Sequence, residues 1–203
     1  MIFMYYFNQT CECLLSLDET LLLWVNGCHT PLLDKVMWAA SDRWAWMPLY
    51  MLLTVILCRK SGLKMGLFAL LLIAALIAAT DQTCASVIRP ALCRVRPSNP
   101  DNPVSALVTV VNGYHGGAYG FPSCHAANTF ALAVFLSLIF RNRYATVSLV
   151  AWSVLVSYSR IYLGVHYPGD IIGGWVVGAT LAVIYYQPLR WYERNSESSL
   201  SCR

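Results

Sequence analysis

The stretch MGLFALLLIAALIAAT, residues 65–80, decides the class of fold because it contains no charged side chain. A helix needs about 20 mostly apolar residues to cross a bilayer, and this run continues more weakly as far as Ile88. Of the 203 residues, 58% are hydrophobic and 12% are charged, which is half the charged share of about 25% typical of a soluble domain. The sequence therefore predicts an all-α membrane protein.

Four further segments have the composition of membrane helices, some of them only marginally. They are 44–58, 122–140, 144–163 and 170–187. The last contains Gly173, Gly174 and Gly178, and small residues of this kind allow helices to pack closely. With 65–80 these segments predict a polytopic bundle of five membrane helices.

Residues 14–40 have apolar side chains at roughly helical spacing, but acidic residues interrupt the pattern and Gly27 and Pro31 break it. We expect two short amphipathic helices on the membrane surface, with a sixth, broken span as the alternative. The expected organisation is an N-terminal interfacial segment over 1–43, a transmembrane domain over 44–187 and a polar cytoplasmic tail over 188–203.

Lysine and arginine are enriched in the cytoplasmic loops of membrane proteins. With five spans, eight basic residues lie in the connections 59–64 and 141–143 and in the tail, and six lie on the other side. Three of those six belong to the motifs described next, where phosphate binding accounts for them. The first side is therefore predicted to be cytoplasmic. The net charge of +4 gives no reason to expect a nucleic-acid partner.

Two polar motifs on the outward side flank the connection 89–121. Arg89 is followed by six residues and then by Arg96 and Pro97; guanidiniums suit phosphate oxygens, although they could also anchor a helix to lipid headgroups. Residues 122–125 read Pro-Ser-Cys-His and open the third span. Ser123 is a preferred N-cap, and the unpaired N–H groups of a first helical turn bind phosphate. His125 would lie beside that anion, or it is simply an interfacial residue of a capped helix.

The third motif, Ser159-Arg160-(x5)-His166-(x3)-Asp170, lies between the fourth and fifth spans. His166 and Asp170 can approach each other across the intervening turn. The carboxylate would then hold one ring nitrogen and leave the other free as an acceptor. This arrangement is typical of an activated nucleophile and its orienting partner, although it could also simply close the turn.

Together the motifs bring arginines, two histidines, one carboxylate and a helix N-terminus to one face. One histidine could attack phosphorus while the other protonates the leaving oxygen, and the arginines would stabilise the developing charge. The combination predicts phosphoryl transfer through a phosphohistidine, with no metal and no cofactor. A cysteine phosphatase is not indicated, because the arginine expected six residues after Cys124 is replaced by Phe130.

These motifs resemble the three signature motifs of the type 2 phosphatidic acid phosphatase (PAP2) family, which is related to the vanadium haloperoxidases. That family reads Lys-x6-Arg-Pro, Pro-Ser-Gly-His and Ser-Arg-x5-His-x3-Asp. The third motif matches at every defined position, whereas Cys124 stands where glycine is usual and Arg89 where lysine is usual. The resemblance covers roughly residues 65–187 and implies five to six membrane helices around a PAP2/haloperoxidase-like core.

The resemblance implies a role for each matching residue. His166 would be the nucleophile, Asp170 its orienting partner and His125 the general acid. The phosphate would be held by Arg89, Arg96, Ser123, Arg160 and the N–H groups near Cys124. Arginine at 89 keeps the charge and donors of lysine. Cysteine at 124 would be strained at a positive φ but costs little inside a helix, and we expect a helix to begin there.

The segments 17–34 and 112–130 resemble PAP2 members of Bacteroides-like bacteria. This implies a multi-pass protein of the bacterial inner membrane, with the active site toward the periplasm and no obligate protein partner. The favoured substrates are lipid A phosphate and undecaprenyl diphosphate, ahead of phosphatidylglycerophosphate and phosphatidate. A phosphotransferase that uses the same phosphohistidine and a non-catalytic lipid-binding protein are the alternatives.

Other polar residues are expected to lie outside the site. His29 and His115 match no motif and are interpreted as interfacial or loop residues. Asp81, near the end of the second span, could bond an arginine of the site or be structural. A disulfide among Cys11, Cys13, Cys28 and Cys93 is possible if these residues face an oxidising compartment.

Overall fold

The computed structural model describes the backbone of residues 2–201 and the side chains of residues 12–195. The α-helices are α1 (Ile2–Asn26), α2 (Pro31–Ser41), α3 (Met47–Ser61), α4 (Leu63–Gln82), α5 (Arg89–Leu92), α6 (Cys124–Phe140), α7 (Arg143–Tyr162) and α8 (Pro168–Ser201). Residues 2–201 contain no β-strand beyond an isolated bridge between Val95 and Tyr119. The predicted all-α class is therefore confirmed, and each of the five predicted spans overlaps a helix.

Helix α6 is the centre of the bundle, because it packs against α8, α7 and α4. The approach of α8 depends on its glycines: a Cβ at Gly174 would lie 2.7 Å from the carbonyl oxygen of Ser123. A Cβ at Gly173 would lie 2.6 Å from the ring of Phe121, and one at Gly178 would overlap the carbonyl oxygen of Ala127. The prediction that these glycines permit close helix packing is confirmed.

Helices α3 and α4 form a hairpin that turns at Gly62, whose φ of +78° favours glycine. Beyond Gln82 the helix passes through a π-helical turn, Thr83–Ile88, into the short α5. The continuous helical stretch from α4 through α5 therefore carries Arg89 to the end of the bundle where α6 begins and α7 ends. We call this the motif end. The opposite end holds the α3–α4 and α6–α7 connections, where Lys60 donates to the carbonyl oxygen of Phe140.

Two helical stretches within the described residues are long and apolar enough to cross a membrane by length and composition, Leu63–Leu92 and Pro168–Asn195. Cys124–Phe140 is apolar but shorter. Both long stretches present large apolar side chains outward, among them Leu71 and Val176, which are 66% and 61% exposed. Exposed apolar faces of this kind are typical of a membrane or protein interface rather than of a water-facing surface.

The N-terminal segment differs from the two short helices expected over residues 14–40. Helix α1 extends over 25 residues because no glycine or proline interrupts the sequence before its end at Asn26. Helix α2 begins at Pro31 with Thr30 as its N-cap, whose side chain accepts from the N–H of Leu33, and it packs against α7. The break expected at Gly27 and Pro31 therefore separates a long helix from a short one.

The C-terminal segment is helical beyond residue 187, where the transmembrane domain was expected to end. Helix α8 continues past Pro188 as far as Ser201. Tyr186 and Leu189 on either side of the proline are buried in the core cluster with Phe135 and Leu76. Packing against α4 and α6 therefore carries the helix across the position where the sequence predicted the domain boundary.

Candidate active site

The three predicted motifs converge at the motif end on one cavity of about 850 Å³. The predicted site residues that line it are Arg89, Arg96, Cys124, His125, Arg160 and His166. Ser123 and Asp170 lie directly behind this lining and are fully buried. The fold therefore brings together residues that are separated by up to 81 positions in the chain (170 minus 89).

His166 and Asp170 form the pair that the spacing predicted. Asp170 Oδ2 lies 3.2 Å from His166 Nδ1 and accepts from the N–H of Tyr167 at 3.0 Å. A proton on Nδ1 leaves Nε2 as the acceptor nitrogen. His166 is 1% exposed. Burial, reinforced by the charges of Arg96 and Arg160, holds the pKa of His166 well below its usual value, so the imidazole is neutral at physiological pH.

Arg96 contacts the nitrogen of His166 that the sequence interpretation left free. Its Nη1 lies 3.0 Å from His166 Nε2 and also donates to the carbonyl oxygen of Val165 at 3.3 Å. Its Nε donates to the carbonyl oxygen of Tyr119 at 3.0 Å. A buried acceptor such as Nε2 needs a donor, and Arg96 supplies it. Burial, followed by the charges of Arg89 and Arg160, lowers the pKa of Arg96 to about 10, so it remains charged at neutral pH.

The segment 93–96 and the loop before α6 hold Arg96 in this position. The N–H of Arg96 donates to the carbonyl oxygen of Ala118, and the N–H of Gly120 donates to that of Arg94. Gly116 has a φ of +70°, and a Cβ there would lie 2.9 Å from Arg96 Nη1. The glycine-rich run before α6 therefore leaves room for the guanidinium beside His166.

The start of α6 matches the predicted phosphate-binding turn. Ser123 is its N-cap and its hydroxyl accepts from the N–H of Ala126 at 3.5 Å. Cys124 is the first residue of the helix, and its φ is not positive. The expectation that a helix begins at Cys124, so that this cysteine does not need a positive φ, is confirmed. His125 follows in the same turn and lines the cavity together with His166.

The two remaining arginines line the cavity from α7 and α5. Arg160 is 3% exposed, contacts the hydroxyl of Ser41 and lies 5.5 Å from the centroid of the Tyr114 ring. Its Nε is buried and has no hydrogen-bond partner among the side chains and backbone that are described. Arg89 donates from Nε and Nη2 to the carbonyl oxygen of Pro122, at 3.2 and 3.1 Å, and so supports the loop that leads into α6.

Arg94 and Asp18 belong to this network and escaped the sequence interpretation. Arg94 Nη1 donates to Asp170 Oδ1 at 2.8 Å, and its Nη2 contacts Asp18. Asp18 also accepts from the N–H of Gly169 at 2.7 Å. Burial lowers the pKa of Arg94, but Asp170 and Asp18 outweigh it and raise the pKa above the usual value. Arg94 and Arg96 alternate along an extended segment, which is a signal that both face the same side; Asp18 offered no comparable signal.

The residues that the sequence placed outside the motifs do not contact His125 or His166. His29 contacts Asp34 at 2.7 Å, and His115 Nδ1 lies 2.6 Å from the carbonyl oxygen of Ser98. Asp81 lines the deeper cavity, where Asn128 donates to it at 3.5 Å. Cys13, Cys28 and Cys93 form no disulfide, while Cys11 lies outside the described side chains.

The cavity continues from the histidines into an apolar arm between α3, α4 and α6. Residues of α4 and of the π-helical turn after it line the arm from Leu70 to Ala85, which is about 22 Å along a helix axis. Leu53 and Leu57 of α3 and Leu132 and Leu136 of α6 face it from the other sides. The cavity thus joins the region around Arg89, Arg96 and Arg160 to the apolar arm. Among residues 12–195 no cluster of three or more His, Cys, Asp or Glu side chains could hold a metal ion.

Comparison with known proteins gives a consistent result. The family model of the PAP2 superfamily matches residues 66–194. The chain is 44% identical over 175 residues to the lipid A 4'-phosphatase of Bacteroides thetaiotaomicron, covering 86% of this chain and 78% of the relative. It is 37% identical over 193 residues to the lipid A 4'-phosphatase of Porphyromonas gingivalis, covering 94% of this chain and 80% of the relative.

The fold is similar to a crystal structure of the transmembrane PAP2 type phosphatidylglycerolphosphate phosphatase from Bacillus subtilis, with a TM-score of 0.62. The alignment covers 90% of this chain and 87% of that one at 22% sequence identity. At that identity the likeness shows the fold alone.

Proposed function

This chain belongs to the PAP2 superfamily and is a phosphoric-ester hydrolase. We propose that it hydrolyses a phosphate monoester of a lipid A-type glycolipid and releases inorganic phosphate. The observation that carries this proposal is the joining of a buried His–Asp pair and three arginines to a long apolar arm in one cavity. The two relatives named lipid A 4'-phosphatase support the choice of substrate. We place the reaction at the periplasmic face of the bacterial inner membrane.

In the proposed first step, Nε2 of His166 attacks phosphorus and the ester P–O bond breaks. Asp170 keeps the Nδ1 proton in place and stabilises the positive charge that develops on the ring. Arg96, which contacts Nε2 at 3.0 Å, must transfer its hydrogen bond from the nitrogen to a phosphate oxygen as the substrate enters. This exchange keeps the guanidinium paired in both arrangements.

His125 is proposed to donate a proton to the departing alkoxide, which leaves as an alcohol. In the second step it accepts a proton from water as the water oxygen attacks the phosphohistidine. The N–P bond then breaks, inorganic phosphate is released and His166 becomes neutral again. Each step moves one proton through His125, so the cycle returns both histidines to their starting state.

The phosphate oxygens are proposed to lie between the arginines and the start of α6. Arg160 offers the buried Nε donor that has no partner within the described part of the chain. The N–H groups of Cys124 and His125 are the first of α6 and lack helical acceptors, and they add the positive end of the helix dipole. Arg89 supports this turn through Pro122 and adds charge from the side.

The proposed topology has five membrane helices, α3, α4, α6, α7 and α8, with the N-terminal helices lying at the interface or adding a sixth span. Basic residues at the opposite end, including Lys60 and Arg141, would face the cytoplasm. Arg141 contacts Tyr186 and Glu193 there. We propose that residues 1–43 and 188–203 flank the transmembrane domain on opposite sides of the membrane.

A substrate panel tests the proposal. Purified protein in detergent micelles should release inorganic phosphate from lipid A, and more slowly from undecaprenyl diphosphate, phosphatidylglycerophosphate or phosphatidate. No phosphate release from any of the four would refute the proposal. Labelled phosphate that appears on a second lipid instead of in solution would identify a phosphotransferase.

A further inference from the structure

A second tier of polar side chains lines the cavity beneath the arginines and histidines: Asp81 of α4, Asn128 of α6 and Trp152 of α7. Asn128 lies three residues after His125, about 4.5 Å along the helix axis. Trp152 precedes Arg160 by eight residues and Asp81 precedes Arg89 by eight, about 12 Å each. Three helices thus bring hydrogen-bonding groups into the apolar arm, one or two helical turns below the proposed phosphate site.

This tier is incompletely paired. Trp152 is 7% exposed, and neither its Nε1 nor Asn128 Oδ1 has a hydrogen-bond partner among the described residues. Exchanging the oxygen and nitrogen of the amide would leave an unpaired donor instead. Asn128 Nδ2 reaches Asp81 only at 3.5 Å, the limit of a hydrogen bond. Donors and acceptors therefore remain available on the cavity wall.

Neighbouring polar groups on α6 and α7 are paired. Thr129 and Ser153 are 3.0 Å apart, and the indole N–H of Trp175 donates to Ser157 at 3.0 Å. The buried side-chain atoms without a partner among the described residues are Asn128 Oδ1, Trp152 Nε1 and Arg160 Nε, and all three residues line the cavity. The ring of Trp152 is also held in place, because Trp46 and Tyr50 meet it edge to face at 5.8 and 6.0 Å between ring centroids.

We propose that this tier is a specificity subsite for a group on the lipid that both donates and accepts a hydrogen bond, such as a secondary amide or a hydroxyl near the start of an acyl chain. The proposal rests on the phosphatase function proposed above and defines the substrate class of that site. The indole N–H of Trp152 would donate to the amide carbonyl or hydroxyl oxygen. Asn128 Oδ1 or the Asp81 carboxylate would accept from the amide N–H or hydroxyl.

The pairing discriminates between classes of membrane lipid. An ester carbonyl accepts from Trp152 but supplies no donor to Asn128 Oδ1 or to Asp81. A polyprenyl chain has no hydrogen-bond donor or acceptor, so neither Trp152 Nε1 nor Asn128 Oδ1 would gain a partner. A site that leaves buried polar groups unpaired rejects the wrong ligand strongly. The expected order of kcat/KM is therefore N-acyl or hydroxyacyl lipid first, ester lipid second and polyprenyl lipid last.

Ceramide 1-phosphate and phosphatidate of matched chain length test the subsite, because both are phosphate monoesters and only the first carries an amide N–H and a hydroxyl. Wild-type protein should favour ceramide 1-phosphate by about tenfold or more in kcat/KM. Trp152→Phe keeps an aromatic ring and removes the N–H, and it should lower kcat/KM on both lipids, because amide and ester carbonyls both accept from the indole. Asn128→Leu removes the acceptor Oδ1 and should bring the ratio of the two kcat/KM values close to one. Trp191→Phe, at a tryptophan that is 66% exposed on α8, is the matched control and should keep the wild-type ratio.

The outcomes separate the subsite from the phosphatase activity. Equal rates on the two lipids in the wild type, or a ratio that Asn128→Leu leaves unchanged, would overturn the subsite while the phosphatase remains. If no lipid is hydrolysed, the proposed function fails, and binding to His166→Ala then decides the subsite. Tighter binding of ceramide 1-phosphate that is lost in His166→Ala/Asn128→Leu supports it, and equal binding of the two lipids rejects it. Because Asn128→Leu could impair folding, Trp152→Phe supplies a second comparison: it should reduce the preference for phosphatidate over undecaprenyl phosphate, and an unchanged preference would overturn the donor role of Trp152.

Discussion

The two ends of the helical bundle carry arginine in opposite ways. At the motif end Arg96 and Arg160 are 5% and 3% exposed and contact His166 and Ser41. At the opposite end Arg141 has 71% of its side chain exposed and lies 3.6 Å from Glu193. Burying a charge is costly unless it is paired, whereas an exposed ion pair contributes little. Burial of Arg96 and Arg160 therefore costs free energy of folding, and such a cost is expected where the charges serve ligand binding or chemistry.

His166→Ala should have the largest effect and defines the motif end as catalytic. Without the Nε2 nucleophile, kcat for phosphate release should fall by about 10⁴-fold or more. Phosphate release by purified protein measures the loss, and trapping of a phosphorylated wild-type protein by a quench in alkaline detergent, in which the P–N bond survives, identifies the residue. Wild-type activity in His166→Ala would remove this residue from the mechanism.

His125→Ala should have the next largest effect, and the size should depend on the leaving group. General acid catalysis contributes about 10²–10⁴-fold when the leaving oxygen is basic, as it is in a lipid alkoxide. With p-nitrophenyl phosphate, whose leaving group needs no proton, the loss in the first step should be much smaller. A loss of the same size on both substrates would argue against a proton donor at His125.

Arg94→Ala should reduce kcat by about tenfold, because Asp170 then loses a charged hydrogen bond and holds His166 less firmly. KM should change little, since Arg94 lies behind the cavity rather than in its lining. Arg94→Lys should recover part of the activity. A change in KM alone, or no recovery in the lysine variant, would exclude this positioning role.

The pH profile should reflect the buried state of His166. Its folded pKa lies well below that of the unfolded chain, so the unfolded chain binds more protons between the two values. The free energy of unfolding therefore decreases as pH falls below about 6.5, and the nucleophile stays neutral through that range. Phosphate release should not lose activity through protonation of His166 between pH 7 and 6. A titration of His166 near pH 6.5, observed by NMR, would contradict the burial argument.

Arg141→Gln should have the smallest effect. The exposed pair with Glu193 contributes about 0–1 kcal/mol, and the residue lies at the opposite end from His166. Activity should remain within about twofold of the wild type and thermal unfolding should shift only slightly. A large loss of phosphate release would show that the two ends are coupled.

Local signals in the sequence predicted much of the site. The third motif placed His166 and Asp170 four residues apart, and that spacing gives their contact across one turn. Ser123 predicted the start of α6, which in turn kept Cys124 out of the positive-φ region. These features depend on helix caps and short spacings, which are properties of neighbouring residues.

Other features depend on contacts between distant parts of the chain. Asp18 reaches Gly169 across 151 residues, and no pattern in α1 indicates that contact. The hydrogen bond between Arg96 and His166 Nε2 depends on the loop around Gly116 and Gly120, which sets where the guanidinium lies. The helical continuation past Pro188 depends on burial of Leu189 against α4 and α6.

The sequence by itself determined the all-α class, the PAP2 family and the set of residues at the motif end, because hydropathy and motif spacing are written locally along the chain. Only the tertiary structure decided what surrounds those residues: Arg94 behind Asp170, Arg96 on Nε2, and the apolar arm with its tier at Asn128 and Trp152. Those relations arise when α4, α6, α7 and α8 pack together, and packing depends on the shapes of whole faces rather than on any one segment.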